Sequence, residues 1–214
     1  MMTLSATLII VIVTVAVSLA GFSNERLINN LIFYPPAVAQ QKQWYRFFTC
    51  GFIHADLGHL AFNMIALYLF GRYLEEDFSF IFGSKGTFLY VLMYVSALWF
   101  CLLPTYKKNI DNHHYRSLGA SGAVSAVVFA SIVLNPLNKI GFFVIPPIIP
   151  GFIFAPVYLI ISQILEKRQA DNVNHSAHIW GALYGMAFLI VAAYAFSDYK
   201  VVSMFIEQVK GYLN

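Results

Sequence analysis

Long apolar runs alternate with short polar breaks along this chain. Runs of about 16–22 apolar residues recur from end to end, the length an α-helix needs to cross hydrocarbon. Read with a window of about 20 residues, they predict six spans, at 4–21, 58–74, 86–103, 119–134, 151–167 and 176–196. The breaks differ in kind. Residues 22–57 form a long polar and aromatic connection, and "EEDFSFIFGSKG" reads as a short loop with a helical turn. The third span is expected to close at Pro104, with the polar loop "TYKKNIDNHHYRS" after it and "RQADNVNHS" later in the chain. The segment "LNKIGFFVIPPIIPG" is too rich in proline for a helix and reads as a connection. After the sixth span, Val202, Phe205, Ile206, Val209 and Leu213 recur at helical spacing in the tail 197–214. That suits an amphipathic helix on a membrane surface. The expected fold class is all-α, a polytopic membrane protein forming one domain over 1–214.

Composition supports the pattern. Hydrophobic residues make up 59% of the 214 positions and charged residues only 11%, where a soluble domain carries about 25% charged. The first run has no basic segment before it and exceeds the 7–15 residues usual for a signal-peptide core, so it is expected to be a retained span. A net charge of +3 is too small to imply a nucleic-acid partner. Cys50 and Cys101 lie near predicted helix ends and are expected as free thiols.

The fourth span is short. Sixteen helical residues reach about 24 Å, less than the roughly 30 Å hydrocarbon core. One end must then lie below the membrane surface, where its free N–H groups need protein or water around them. Ser121 falls in the first turn of that helix, between Gly119 and Gly122.

Other polar residues enter the spans. His59 and Asn63 stand four apart, on one face of the second span. His178 begins the sixth, with Gly181, Ala182 and Gly185 on its face. Small residues at that spacing let two helix backbones approach closely, and Gly122, Ser121 and Ser125 offer a matching face on the fourth span. If the two faces pack, the His178 imidazole reaches the Ser121 hydroxyl. A serine becomes a nucleophile when a base takes its proton, and histidine is the usual base near neutral pH. The Ser121 N–H at a helix start, with the His59 and Asn63 side chains, can hold the resulting oxyanion. Asp171, seven residues before His178, is a candidate to orient the ring. Taken singly, each residue reads more readily as a packing residue, a helix-end anchor or interhelical glue; it is their joint occurrence at helix starts that points to a site. HExxH is absent, and the pairs His113–His114 and His175–His178 lack a carboxylate or cysteine set of familiar spacing, so no metal and no cofactor is expected.

Three motifs in order resemble the rhomboid family of intramembrane serine proteases. They are H-x-x-x-N at His59–Asn63, G-x-S-G at Gly119–Gly122, and A-H-x-x-G-x-x-x-G at Ala177–Gly185. Trp44 with Arg46, and Gly71 with Glu75, are similar to two further family features, so the resemblance covers about residues 40–190. It implies a six-helix bundle with Ser121 as nucleophile, His178 as general base, and the Ser121 amide, His59 and Asn63 around the oxyanion. Trp44, Arg46 and Glu75 would hold the long first loop at the membrane surface. The fifth span, with Pro150 and Pro156 near its start, would be a lateral gate. The substrates would be transmembrane proteins within the lipid bilayer, cut in or near their membrane segments. The expected location is the cell (inner) membrane, with the site open to the outer, periplasmic side.

Two features depart from the family pattern. Ser125 stands where the family often stacks an aromatic on the histidine. In the family orientation, eight of the 13 Lys and Arg residues fall on the outer side, against the positive-inside tendency. Two other functions fit parts of this pattern: a catalytically silent rhomboid-like binder of transmembrane clients, and a small transporter. A binder needs neither Ser121 nor His178, and no span has a charged residue at its centre, as a transporter's would.

Overall fold

The computed structural model describes residues 5–142, 145–168 and 173–214. Its first helix, α1 (Ala6–Phe22), is capped by the Ser5 hydroxyl. This helix buries Thr7, Thr14, Ser18 and Gly21 and leaves Ile9, Ile12, Val13 and Leu19 exposed. Small and polar residues inside with large apolar ones outside is the arrangement of a helix packed in lipid.

The connection 22–57 is built of short helices, α2 (Glu25–Leu31), α3 (Pro35–Gln41) and α4 (Arg46–Thr49), followed by a 3-10 turn at Cys50–Phe52. Arg46 is buried inside it and donates from Nη1 to the carbonyls of Asn29 and Ile32, at 2.9 and 2.7 Å. Trp44 is half exposed and stacks on Phe47 at 6.0 Å. Both residues thus make contacts within the connection itself.

Glu75 does otherwise. It lies in α5 (Leu57–Phe82), whose N-terminus is capped by Asp56. Its carboxylate accepts from the N–H groups of Ala6 and Thr7 and from the Thr7 hydroxyl, at 2.7–2.9 Å. It therefore ties down the start of α1, at the opposite end of the bundle from the connection. α5 also runs on through the segment expected to be a loop. Two of its charged residues have partners there, Glu75 in α1 and Asp77 in Asn135 at 2.9 Å, and the helix stops at Gly83, whose φ of 57° favours glycine.

The next helix, α6 (Gly86–Phe100), ends earlier than expected, and α7 (Leu103–Asn109) follows. Pro104 opens α7 rather than closing α6, because a missing N–H costs nothing in a first turn. The central helix is α8 (Ser121–Leu134), buried along almost its whole length between α5, α6 and later helices.

The proline-rich segment is not a bare connection. Lys139–Phe142 (β1) and Ile145–Pro150 (β2) pair antiparallel, with Ile140 opposite Ile149 and an irregularity between Ile140 and Phe142. Proline fits here because each strand of a two-stranded ribbon has a free edge needing no N–H. Three helices complete the fold: α9 (Gly151–Arg168), α10 (His175–Phe196) and the terminal α11 (Val201–Leu213).

Two stretches, Leu57–Asn109 and His175–Phe196, are long and apolar enough to cross a membrane, and Ala6–Phe22 and Ser121–Leu134 are shorter apolar helices. α8 passes through the middle of the bundle and packs most extensively against α10. A Cβ at Gly181 would overlap the Gly122 carbonyl oxygen, and one at Gly185 would overlap that of Ala126. The matching small positions on α8 are thus Gly122 and Ala126.

Candidate active site

Ser121 is the first residue of α8, so its N–H lies in the turn that has no intrahelical acceptor. The chain reaches it through Gly119, which has a φ of 112°. A Cβ at Gly119 would stand 2.7 Å from Cε1 of the His59 ring. Glycine is required there twice, by the left-handed backbone and by the imidazole against it. Upstream, Ser117 and Phe33 exchange both backbone hydrogen bonds, and the Gly119 N–H donates to the Cys50 carbonyl at 2.9 Å. The connection 22–57 thus grips the strand leading to the serine.

His178 comes from the first turn of α10, whose cap is the Asn174 side chain accepting from the Ala177 N–H at 3.0 Å. The close approach of α8 and α10 brings His178 Nε2 to 2.7 Å from Ser121 Oγ. In the tautomer with Nε2 unprotonated, the ring accepts the serine proton. The His175 ring stands edge-on to His178 at 5.8 Å. Ser125 is buried and faces the Tyr158 hydroxyl of α9, so the position that departs from the family is filled by a contact to the neighbouring helix.

Asn63 is buried, and its Nδ2 donates to the His59 carbonyl at 3.1 Å, which leaves its second N–H available. Ser121, His178, His59 and Asn63 all line one cavity of about 700 Å³, which also takes in Asp56, Arg116, Ser117 and Asn174. A second, apolar cavity of about 260 Å³ shares Asn63, Ser121 and His178 with it and runs between α5, α8 and α9 toward Phe70, Phe129, Phe154 and Tyr158. The four residues singled out from the sequence therefore meet. Asp171 lies outside the described residues. Cys50 and Cys101 are free and buried beside the same cavity, and burial pushes the Cys50 thiol up to about 12. Among the described residues no group of three or more His, Cys, Asp or Glu could hold a metal.

Sequence reasoning missed three residues around this site. Glu166 of α9 accepts from Lys108 Nζ at 3.1 Å and from the Ser176 N–H at 3.0 Å, joining α9 to α7 and to the start of α10. Ser18 and His54 form a contact behind Ala120. The only signal for them was polarity beside apolar runs, which does not name a partner.

A family profile described as Rhomboid domain matches residues 41–195. The chain is 29% identical to Rhomboid-like protein 11, chloroplastic, of Arabidopsis thaliana over 195 residues, 84% of this chain and 62% of that protein. It is 31% identical to RHOMBOID-like protein 12, mitochondrial, of the same plant over 145 residues, 63% of this chain and 42% of that protein. With Rhomboid protease AarA of Providencia stuartii it shares 25% identity over 193 residues, 81% of this chain and 65% of the other. The chain thus spans 42–65% of the length of these curated relatives.

Proposed function

This chain belongs to the rhomboid family of integral membrane proteins, and we propose that it is a serine endopeptidase cutting transmembrane proteins in or near their membrane segments. The reading rests above all on the 2.7 Å contact between His178 Nε2 and Ser121 Oγ inside a cavity of about 700 Å³. His178 takes the hydroxyl proton as Ser121 Oγ attacks the scissile carbonyl. The oxyanion is held by the Ser121 N–H, the free N–H of Asn63 and the His59 ring. The proton then passes from His178 to the leaving amine as the C–N bond breaks. Water, activated by the same imidazole, hydrolyses the acyl-enzyme and restores Ser121. The steps use protein groups and water alone.

Residues 1–214 form one membrane domain in this proposal. Its substrate enters from the bilayer past α9, whose wall borders the apolar cavity. The cavity that holds Ser121 opens at the bundle end carrying the connection 22–57 and α7, and we place that end on the outer, periplasmic side of the cell membrane. A binder of transmembrane clients would gain nothing from a serine and an imidazole in hydrogen-bond contact.

The test compares wild type with Ser121→Ala and His178→Ala in liposomes, scoring cleavage of a transmembrane substrate panel and mass-spectrometric labelling of Ser121 by a fluorophosphonate. We expect labelling at Ser121 alone, and loss of turnover in both variants by at least about 10³-fold. Undiminished cleavage by either variant overturns the dyad.

A further inference from the structure

His54 is 1% exposed, lies outside the predicted motifs, and takes no part in the proposed chemistry. Such a buried imidazole must have its ring nitrogens satisfied. Its Nε2 lies 3.5 Å from the Ala120 N–H, and a backbone amide can only donate, so Nε2 accepts. Nδ1 then carries the proton and faces Ser18 Oγ at 2.9 Å. Ser18 is fully buried in α1, and its hydroxyl donates to the Phe52 carbonyl at 2.9 Å, which leaves its oxygen to accept from Nδ1. The directions close into one chain without conflict: Ala120 N–H to His54, His54 to Ser18, Ser18 to Phe52.

The position of this chain gives it a consequence. Ala120 is the residue before Ser121, and Gly119 before it packs on the His59 ring. The His54 and His59 rings meet edge-to-face at 5.0 Å, so two imidazoles hold the turn that delivers the nucleophile. The other groups acting on His54 are burial, the His59 ring and the Asp56 carboxylate. Among the described residues none from α1 lines the Ser121 cavity, yet Ser18 reaches the turn through a single imidazole.

We infer that His54, fixed in its Nδ1–H form by Ser18, is a positioning residue for the Gly119–Ala120 turn, and sets the placement of Ser121 Oγ and the Ser121 N–H relative to His178. The inference rests on the protease reading. It is specific about which nitrogen matters. A glutamine side chain places its carbonyl near the position of Nε2 and can accept from Ala120, whereas asparagine reaches only the Nδ1 position beside Ser18.

The experiment uses the full chain in liposomes, with His54→Gln, His54→Asn, His54→Phe and Ser18→Ala beside wild type and Ser121→Ala. It reads kcat and KM on a transmembrane substrate, the rate of fluorophosphonate labelling and the thermal midpoint. Phe and Asn should each lower kcat and the labelling rate by about ten-fold or more with KM little changed, the loss of one hydrogen bond at the reacting turn. Gln should recover most of that loss. Ser18→Ala, which keeps the imidazole but frees its tautomer, should lower kcat by a smaller factor, and it covers the case in which a His54 variant fails to fold. Equal rates for Gln, Asn and Phe, or a change confined to the thermal midpoint, overturn the positioning role while leaving the dyad intact. Wild-type cleavage by Ser121→Ala would instead remove the dyad, and this inference with it.

Discussion

Gly181 of α10 lies so close to Gly122 of α8 that no side-chain carbon fits between them. Both helices begin at the same end of the bundle, so this approach, next to Ser121 and about a turn beyond His178, sets their separation. Substituting Gly181→Ala pushes a methyl group into the Gly122 carbonyl, which is backbone and cannot swing aside. The helices must part. The expected cost is about 1–3 kcal/mol in unfolding free energy, with fluorophosphonate labelling of Ser121 nearly lost in the molecules that still fold. Labelling at the wild-type rate would show that the helix separation does not control the dyad.

Gly119→Ala meets two penalties at once, a φ of 112° and the His59 ring. Backbone strain of this kind costs about 1–3 kcal/mol. The ring must also move, and His59 is a proposed oxyanion donor. We expect kcat to fall further than the stability change predicts, as read from labelling rate and thermal midpoint on one preparation.

Burial pushes the His54 imidazole down from 6.5 to about 4, with His59 adding to the effect and Asp56 opposing it. The neutral ring is therefore favoured in the folded chain, and between these two values the unfolded chain binds more protons. Stability from this site is fully present above about 6.5, is lost as pH falls toward about 4, and levels off below. The whole change amounts to at most about 3 kcal/mol. Unfolding midpoints measured across this window should slope more steeply for wild type than for His54→Gln. A wild-type slope that survives the substitution would assign it to another group.

The carboxylate of Glu75 accepts three hydrogen bonds from the first turn of α1. Bonds to a charged group contribute about 1.5–3 kcal/mol each when their partners are buried, so Glu75→Ala should cost about 3 kcal/mol or more. Glu75→Gln, with one acceptor oxygen left, should cost less. Below both transitions the labelling rate of the folded fraction should match wild type, because Glu75 is at the far end from Ser121.

Glu166 is the contact that ties the last turn of α9 to α7 and to Ser176. If α9 admits substrate, Glu166→Ala should speed cleavage of a transmembrane substrate while leaving a short soluble peptide within about two-fold. Lys108→Ala alone should change stability by less than about 1 kcal/mol, since its ammonium is well exposed. Equal acceleration on both substrates would argue for a change in chemistry rather than entry.

Much of the site could be read from spacing, because helical geometry turns sequence offsets directly into faces. His59 and Asn63 share a face by their separation of four, and Gly181 and Gly185 announce a close crossing. What could not be read depends on contacts between distant segments. Hydropathy reported Glu75, Glu76 and Asp77 as a break, whereas Glu75 and Asp77 lie within α5 because α1 and Asn135 supply their partners. Pro104 marks a boundary in either direction, and only the structure shows that it begins a helix. The prolines of β2 correctly excluded a helix but gave no sign of the strand that pairs with them. His54 was silent for a related reason: its meaning lies in Ser18, 36 positions earlier, and Ala120, 66 later.

The first helix is held at both of its ends by residues that come after it in the chain. Glu75 grips its start and His54 meets Ser18 near its finish. A ribosome making this protein releases α1 before α5, which carries Glu75, has emerged. Until then Thr7 and Ser18 must satisfy their hydroxyls against their own helix or lipid headgroups. The first turn of α1 gains its buried acceptor only once α5 has followed it into the membrane. The turn before Ser121 can close on His54 only after the chain up to α8 has been made, because Gly119 and Ala120 lie 65 and 66 positions beyond that imidazole.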